Sequence, residues 1–122
     1  MTSKTKNIIS WVLASIIGLV FLGSGINKLM GSAEALTMAE GFGISAGNFK
    51  MLGIIEVSAV LLFLYPRTGI LGTLLLVAYM GGAIATHLEH GQPIIAPIII
   101  SAVLWIVAVN RFQELTQRIK GV

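Results

Sequence analysis

From Ile8 to Ile26 the chain runs nineteen residues without a charge. A helix needs about 20 mostly apolar residues to cross the hydrocarbon core of a bilayer, so this one run already points away from water. Three more apolar stretches follow: Met51–Tyr65, interrupted only by Glu56, then Gly69–Thr86 and Ile94–Val109, both uncharged. Lipid offers no partner to a bare amide, so such runs must be helices or strands of a closed barrel. Barrel strands alternate polar and apolar residues, and these stretches do not. The expectation is an all-α, single-domain, four-transmembrane-helix bundle, with helices near residues 8–30, 46–65, 68–88 and 93–110. Composition agrees. Only 11% of the 122 residues are charged and 56% are hydrophobic, whereas a soluble domain carries about 25% charged residues. Disorder is excluded by the same balance. The absence of cysteine excludes disulfide scaffolds, thiol redox chemistry and thiolate metal sites.

Local signals sharpen the boundaries. Ser45 is a candidate N-cap that lengthens the second stretch, and Ser32 a candidate cap for a short amphipathic helix through Glu40, stopped by Gly41. That helix is expected to lie along the membrane surface. In the tail 111–120, Phe112, Leu115 and Ile119 fall at helical spacing beside Arg118 and Lys120, which predicts an amphipathic extension of the fourth helix. Lys4 and Lys6 ahead of an apolar run also suit a signal peptide; the run is read here as an uncleaved first helix.

The basic residues orient the bundle. Lys4, Lys6, Arg67, Arg111, Arg118 and Lys120 all fall on one side of a four-crossing chain, and they are six of its eight basic residues. The positive-inside rule makes that side cytoplasmic, with both termini on it. Trp11, Tyr65, Trp105 and Phe112 lie near the same boundary, as an aromatic belt would. The net charge of +3 is thereby a matter of topology, and nucleic-acid binding has no support. Small residues recur four apart at Ser10, Ala14 and Gly18, and again at Ala78, Gly82 and Thr86. Such stripes let helices approach closely, inside one bundle or between two copies of a homo-oligomer.

Polar groups within the spans are the informative ones, since a charge at a helix centre costs about 2.5–3.5 kcal/mol on insertion scales. Glu56 stands among apolar residues and needs a partner, a proton or an interior position. Lys28 closes the first helix, with Ser24 and Asn27 just before it, and His87 closes the third, after Tyr79. Depth places an acid, an amine and an imidazole from three helices in one layer. The expectation is a polar pocket open to the outer face and lined by Ser24, Asn27, Lys28, Glu56, Tyr79 and His87. His87 and His90 stand at i, i+3, but a zinc site takes three or four ligands, so no metal is expected.

Five segments carry a resemblance: Phe21-Leu-Gly-Ser-Gly-Ile-Asn-Lys28-Leu, Gly41-Phe-Gly-Ile44, Leu52-Gly-Ile-Ile-Glu56-Val, Arg67-Thr-Gly69 and Met80-Gly-Gly-Ala-Ile-Ala-Thr-His87-Leu. Together, over nearly the whole chain, they resemble the DoxX-like family of small four-helix membrane proteins. Lys28, Glu56 and His87 are the matching polar positions. The resemblance implies a multi-pass protein of a bacterial-type cytoplasmic (inner) membrane. It also implies an association with membrane oxidoreductases, the family taking its name from a subunit found with a thiosulfate:quinone oxidoreductase. Distant relatives look like cargo receptors and receptor-assembly chaperones. No catalytic role is carried over to any residue.

Three functions are therefore open. The preferred one is an accessory, ligand-binding component of a membrane redox system. Its pocket would take a quinone or another amphipathic small molecule, and its partner would be a soluble or membrane oxidoreductase. The second is a membrane assembly or chaperone-like module. The third is a small enzyme, an isomerase or hydrolase acting on a lipophilic substrate, with Glu56 and His87 as acid and base.

Overall fold

The computed structural model describes residues 2–121 and consists of helices and short turns. Six helices follow in order: α1 Ser3–Met30, α2 Ala33–Gly41, α3 Ala46–Leu64, α4 Gly69–Glu89, α5 Ile95–Arg111 and α6 Gln113–Lys120, with a single 3-10 turn at Pro66–Thr68 before α4. Helix α1 starts five residues earlier than the apolar run. The Thr2 hydroxyl accepts from the Thr5 amide and satisfies one of the amides that a helix start leaves free. Ser32 and Ser45 do the same for α2 and α3, through the amides of Ala35 and Asn48. Gly31 ends α1 at φ 63°, a left-handed conformation in which glycine has no Cβ to clash.

The four long helices pack as a ring: α1 against α3, α3 against α4, α4 against α5 and α5 back against α1. Phe63, Leu76, Leu104, Val60 and Val107 fill the axis and are fully buried. The outer faces are apolar as well, with Ile16, Leu19, Leu61, Leu74, Ile99 and Ile106 exposed. A water-soluble monomer does not present apolar surface all round, whereas lipid does not oppose it. Helices α1 and α3, and α4 with its leading turn, are long and apolar enough to cross a membrane. Helix α5 has 17 residues, about 25 Å, and qualifies as a fourth span only together with α6. The chain thus has three or four candidate spans.

Of the two small-residue stripes, Ser10, Ala14 and Gly18 are buried in the bundle, while Ala78 and Gly82 are exposed on α4. The close approaches come mainly from elsewhere. A Cβ on Gly53 would fall 2.8 Å from the Gly25 carbonyl oxygen, so α1 and α3 touch backbone to backbone beside Glu56. A Cβ on Gly72 would overlap the backbone of Phe63, which fixes the α3–α4 hairpin.

The tail departs from expectation. It does not extend the fourth helix; α6 turns by 103° from α5. The break is Phe112, whose backbone is extended and whose ring occupies the space over Gly69. Beside it the Arg111 guanidinium donates to the carbonyls of Phe63 and Leu64 at the end of α3. It lies over the rings of Trp11, Phe63 and Phe112 at 4.6, 5.1 and 4.8 Å. Carbonyls at a helix C-terminus carry partial negative charge, so Arg111 ties α5 to the end of α3, and its contact with Trp11 adds α1.

Gly72→Ala is expected to lower the unfolding midpoint in neutral detergent by several degrees, an overpacking cost of about 1–3 kcal/mol. Gly81→Ala, with open space around its added methyl, leaves the midpoint unchanged or raises it slightly, a gain of less than about 1 kcal/mol in stability. A thermal unfolding series on the two variants checks the pair.

Candidate functional site

Glu56 lies halfway along α3 and is 2% exposed. A carboxylate so placed needs compensation from its neighbours, and two helices, α1 and α4, supply it. On α1, Ser24 and Lys28 are one turn apart and share a face. The Lys28 ammonium donates to Glu56 Oε1 at 2.9 Å and to Ser24 Oγ at 2.6 Å, and Ser24 Oγ donates to Glu56 Oε1 at 3.1 Å. From α4 the Tyr79 hydroxyl reaches the same oxygen at 3.0 Å. Lys28 also stands 5.3 Å from the centre of the Phe49 ring and 5.9 Å from that of Tyr79, close enough for cation–π attraction. Gly53 makes the meeting possible, because its missing side chain is what lets Lys28 lie against α3.

All three hydrogen bonds to the carboxylate fall on Oε1; among the described residues none is donated to Oε2. The donors thus crowd one oxygen of a side chain that is fully buried. An ionised carboxylate oxygen can only accept. The cluster therefore has one oxygen engaged in holding helices together and one without a donor among the described residues.

Of the six side chains expected to converge, four do: Ser24, Lys28, Glu56 and Tyr79. Two do not. Asn27 is exposed, standing about 100° round α1 from Lys28, so one face cannot carry both. His87 is eight residues beyond Tyr79, about 12 Å along the helix. Its Nδ1 lies 2.6 Å from the Ala83 carbonyl oxygen and its ring lies tilted against Phe42, the centroids 4.6 Å apart. His90 lies against the same Phe42 ring at 6.3 Å, its Nδ1 3.0 Å from the Thr86 carbonyl oxygen. The two imidazoles fasten the α2–α3 connection to the end of α4.

Phe49 was open to discovery from the sequence, since Phe49, Gly53 and Glu56 fall at i, i+4 and i+7 on one helix face. Arg111 offered no such signal. Its carbonyl partners are 47 and 48 residues away.

A family model described as the DoxX-like family matches residues 12–110. The matched segment includes the whole four-residue cluster, and it stops short of Arg111 and α6. No curated protein and no solved structure is significantly similar to the chain.

The ion pair makes a quantitative expectation. Lys28→Met and Glu56→Met each strand one buried charge or its donors, and each is expected to cost about 3 kcal/mol. The double variant should cost less than the sum by more than about 1 kcal/mol, because neither partner is then left alone. Unfolding midpoints of the four proteins in one detergent give the coupling.

Proposed function

The chain belongs to the DoxX-like family, and on that footing we propose that it is a ligand-binding accessory component of a membrane redox system. In this reading α1, α3, α4 and α5 cross the inner membrane of a bacterial-type cell. Both termini are cytoplasmic and the Lys28 end of α1 faces outward. The distribution of basic residues supports this orientation, and the link to oxidoreductases rests on the family resemblance.

The observation that carries the reading is the buried Glu56 carboxylate with one oxygen bound by Ser24, Lys28 and Tyr79 and the other without a donor among the described residues. Keeping an acid and an amine inside a lipid-facing bundle is costly, and intramembrane charges commonly serve ligands or protons. This cluster offers a protic set that can hold the polar head of an amphipathic molecule such as a quinone. Glu56 accepts, and Lys28 and Tyr79 donate or relay. Soluble or membrane oxidoreductases are the partners such a component would serve.

A second reading has its own support. Each donor group of the cluster already makes a hydrogen bond within the protein, which is what a purely structural clamp of an assembly module would need. The two separate on affinity. A short-chain ubiquinone or menaquinone analogue titrated into detergent-purified protein should bind about tenfold more weakly to Glu56→Gln and Tyr79→Phe than to wild type, each hydrogen bond to a charged group contributing about 1.5–3 kcal/mol. Equal affinity in wild type and both variants would leave only the clamp.

A further inference from the structure

Six of the eight basic residues lie at one end of the bundle, on the start of α1, the α3–α4 turn, the end of α5 and α6. The two exceptions are Lys28 at the end of α1 and Lys50 in the first turns of α3. Both line the same cavity, of about 280 Å³, between these helix ends and α2. Small residues shape its wall, among them Gly31, Ala35 and Gly47, with Phe49 beside them, and no carboxylate lines it. Glu34, the acidic residue of α2's first turn, lines the neighbouring depression instead.

We infer that this cavity binds the oxyanion head, phosphate or carboxylate, of a membrane amphiphile. Three observations converge. The first is charge: an otherwise acidic end of the molecule places its two lysines around one recess, Lys28 already paired with Glu56 and Lys50 not. The ammonium of Lys28 spends two of its three protons on Ser24 and Glu56, which leaves one donor, and Lys50 has no hydrogen bond or ion pair with any described residue. The second is depth. Helix α1 stops at Met30 and α3 begins at Ala46, so the cavity lies where spans end and headgroups begin. The third is the exit. Ile54, one turn along α3 from Lys50, is exposed and apolar, and an alkyl chain leaving the cavity meets it and then lipid. Snorkelling explains a lone lysine at such a depth; it does not explain two lysines on different helices around one space.

The inference goes beyond the quinone reading. It concerns an anion rather than a neutral head, and it turns on Lys50, which takes no part in the Glu56 cluster. The test uses dodecyl phosphate, dodecanol and inorganic phosphate, each titrated into the full chain in neutral detergent and followed by the unfolding midpoint and by native mass spectrometry. Dodecyl phosphate should bind and raise the midpoint, and dodecanol should not. Lys50→Gln should weaken binding about fivefold, as expected for one lysine at a membrane surface, with its midpoint in the absence of probe unchanged. Gly47→Leu adds bulk at a position with nothing within 4 Å of the new Cβ, and should abolish binding in a folded protein. If inorganic phosphate alone reproduces the shift, the oxyanion site stands and its source is a free anion rather than a lipid. Equal binding of dodecanol and dodecyl phosphate, or wild-type binding by Lys50→Gln, overturns the inference.

Discussion

The bundle is organised around a single carboxylate that lipid will not solvate. Once Glu56 is placed in the middle of α3, an apolar interior can hold it only by bringing a cation and hydroxyl donors to it. Lys28 and Ser24 come from α1, and Tyr79 from α4. Three helices are thereby fixed in register about one atom. Dispersion contacts between Leu, Val and Phe side chains tolerate sliding, and within a membrane no water is expelled when such helices associate. The directional contacts at Glu56 are what make one helix register better than its neighbours.

A second polar tie works at the opposite end of the bundle. There the Arg111 guanidinium binds the last carbonyls of α3 and rests among three aromatic rings. The two ties use different chemistry for a similar purpose. Lys28 is a compact charge on a flexible stem that meets another charge, whereas Arg111 is a planar fork that bridges two neighbouring carbonyls. Between them lies a core of Phe63, Leu76 and Leu104 that contains no charge.

The long apolar helices were legible in the sequence because lipid imposes a composition on any segment that crosses it, although α5 alone falls short of a span. Helix starts at Ser32 and Ser45 were legible because a cap is a local device, settled within three residues. The meeting of Lys28 with Glu56 could be reasoned from the cost of leaving either alone. Other features depend on geometry that a linear pattern does not carry. Tyr79 and His87 looked equally eligible until their spacing along α4 put His87 two turns too far. Asn27 was one step off the right face. The turn at Phe112 arises because Gly69, forty-three residues earlier, leaves room for its ring, and no reading of the tail alone contains that space.

The lopsided bonding of Glu56 also gives the molecule a built-in reporter. The chain holds five acidic residues, all glutamates, and Glu34, Glu40, Glu89 and Glu114 are exposed. Their symmetric, hydrated carboxylates absorb alike in the infrared. A group with three donors crowded on one oxygen has unequal carbon–oxygen bonds, and its stretching bands stand apart. A proton or donor arriving at the second oxygen should shift bands that the four exposed glutamates do not share.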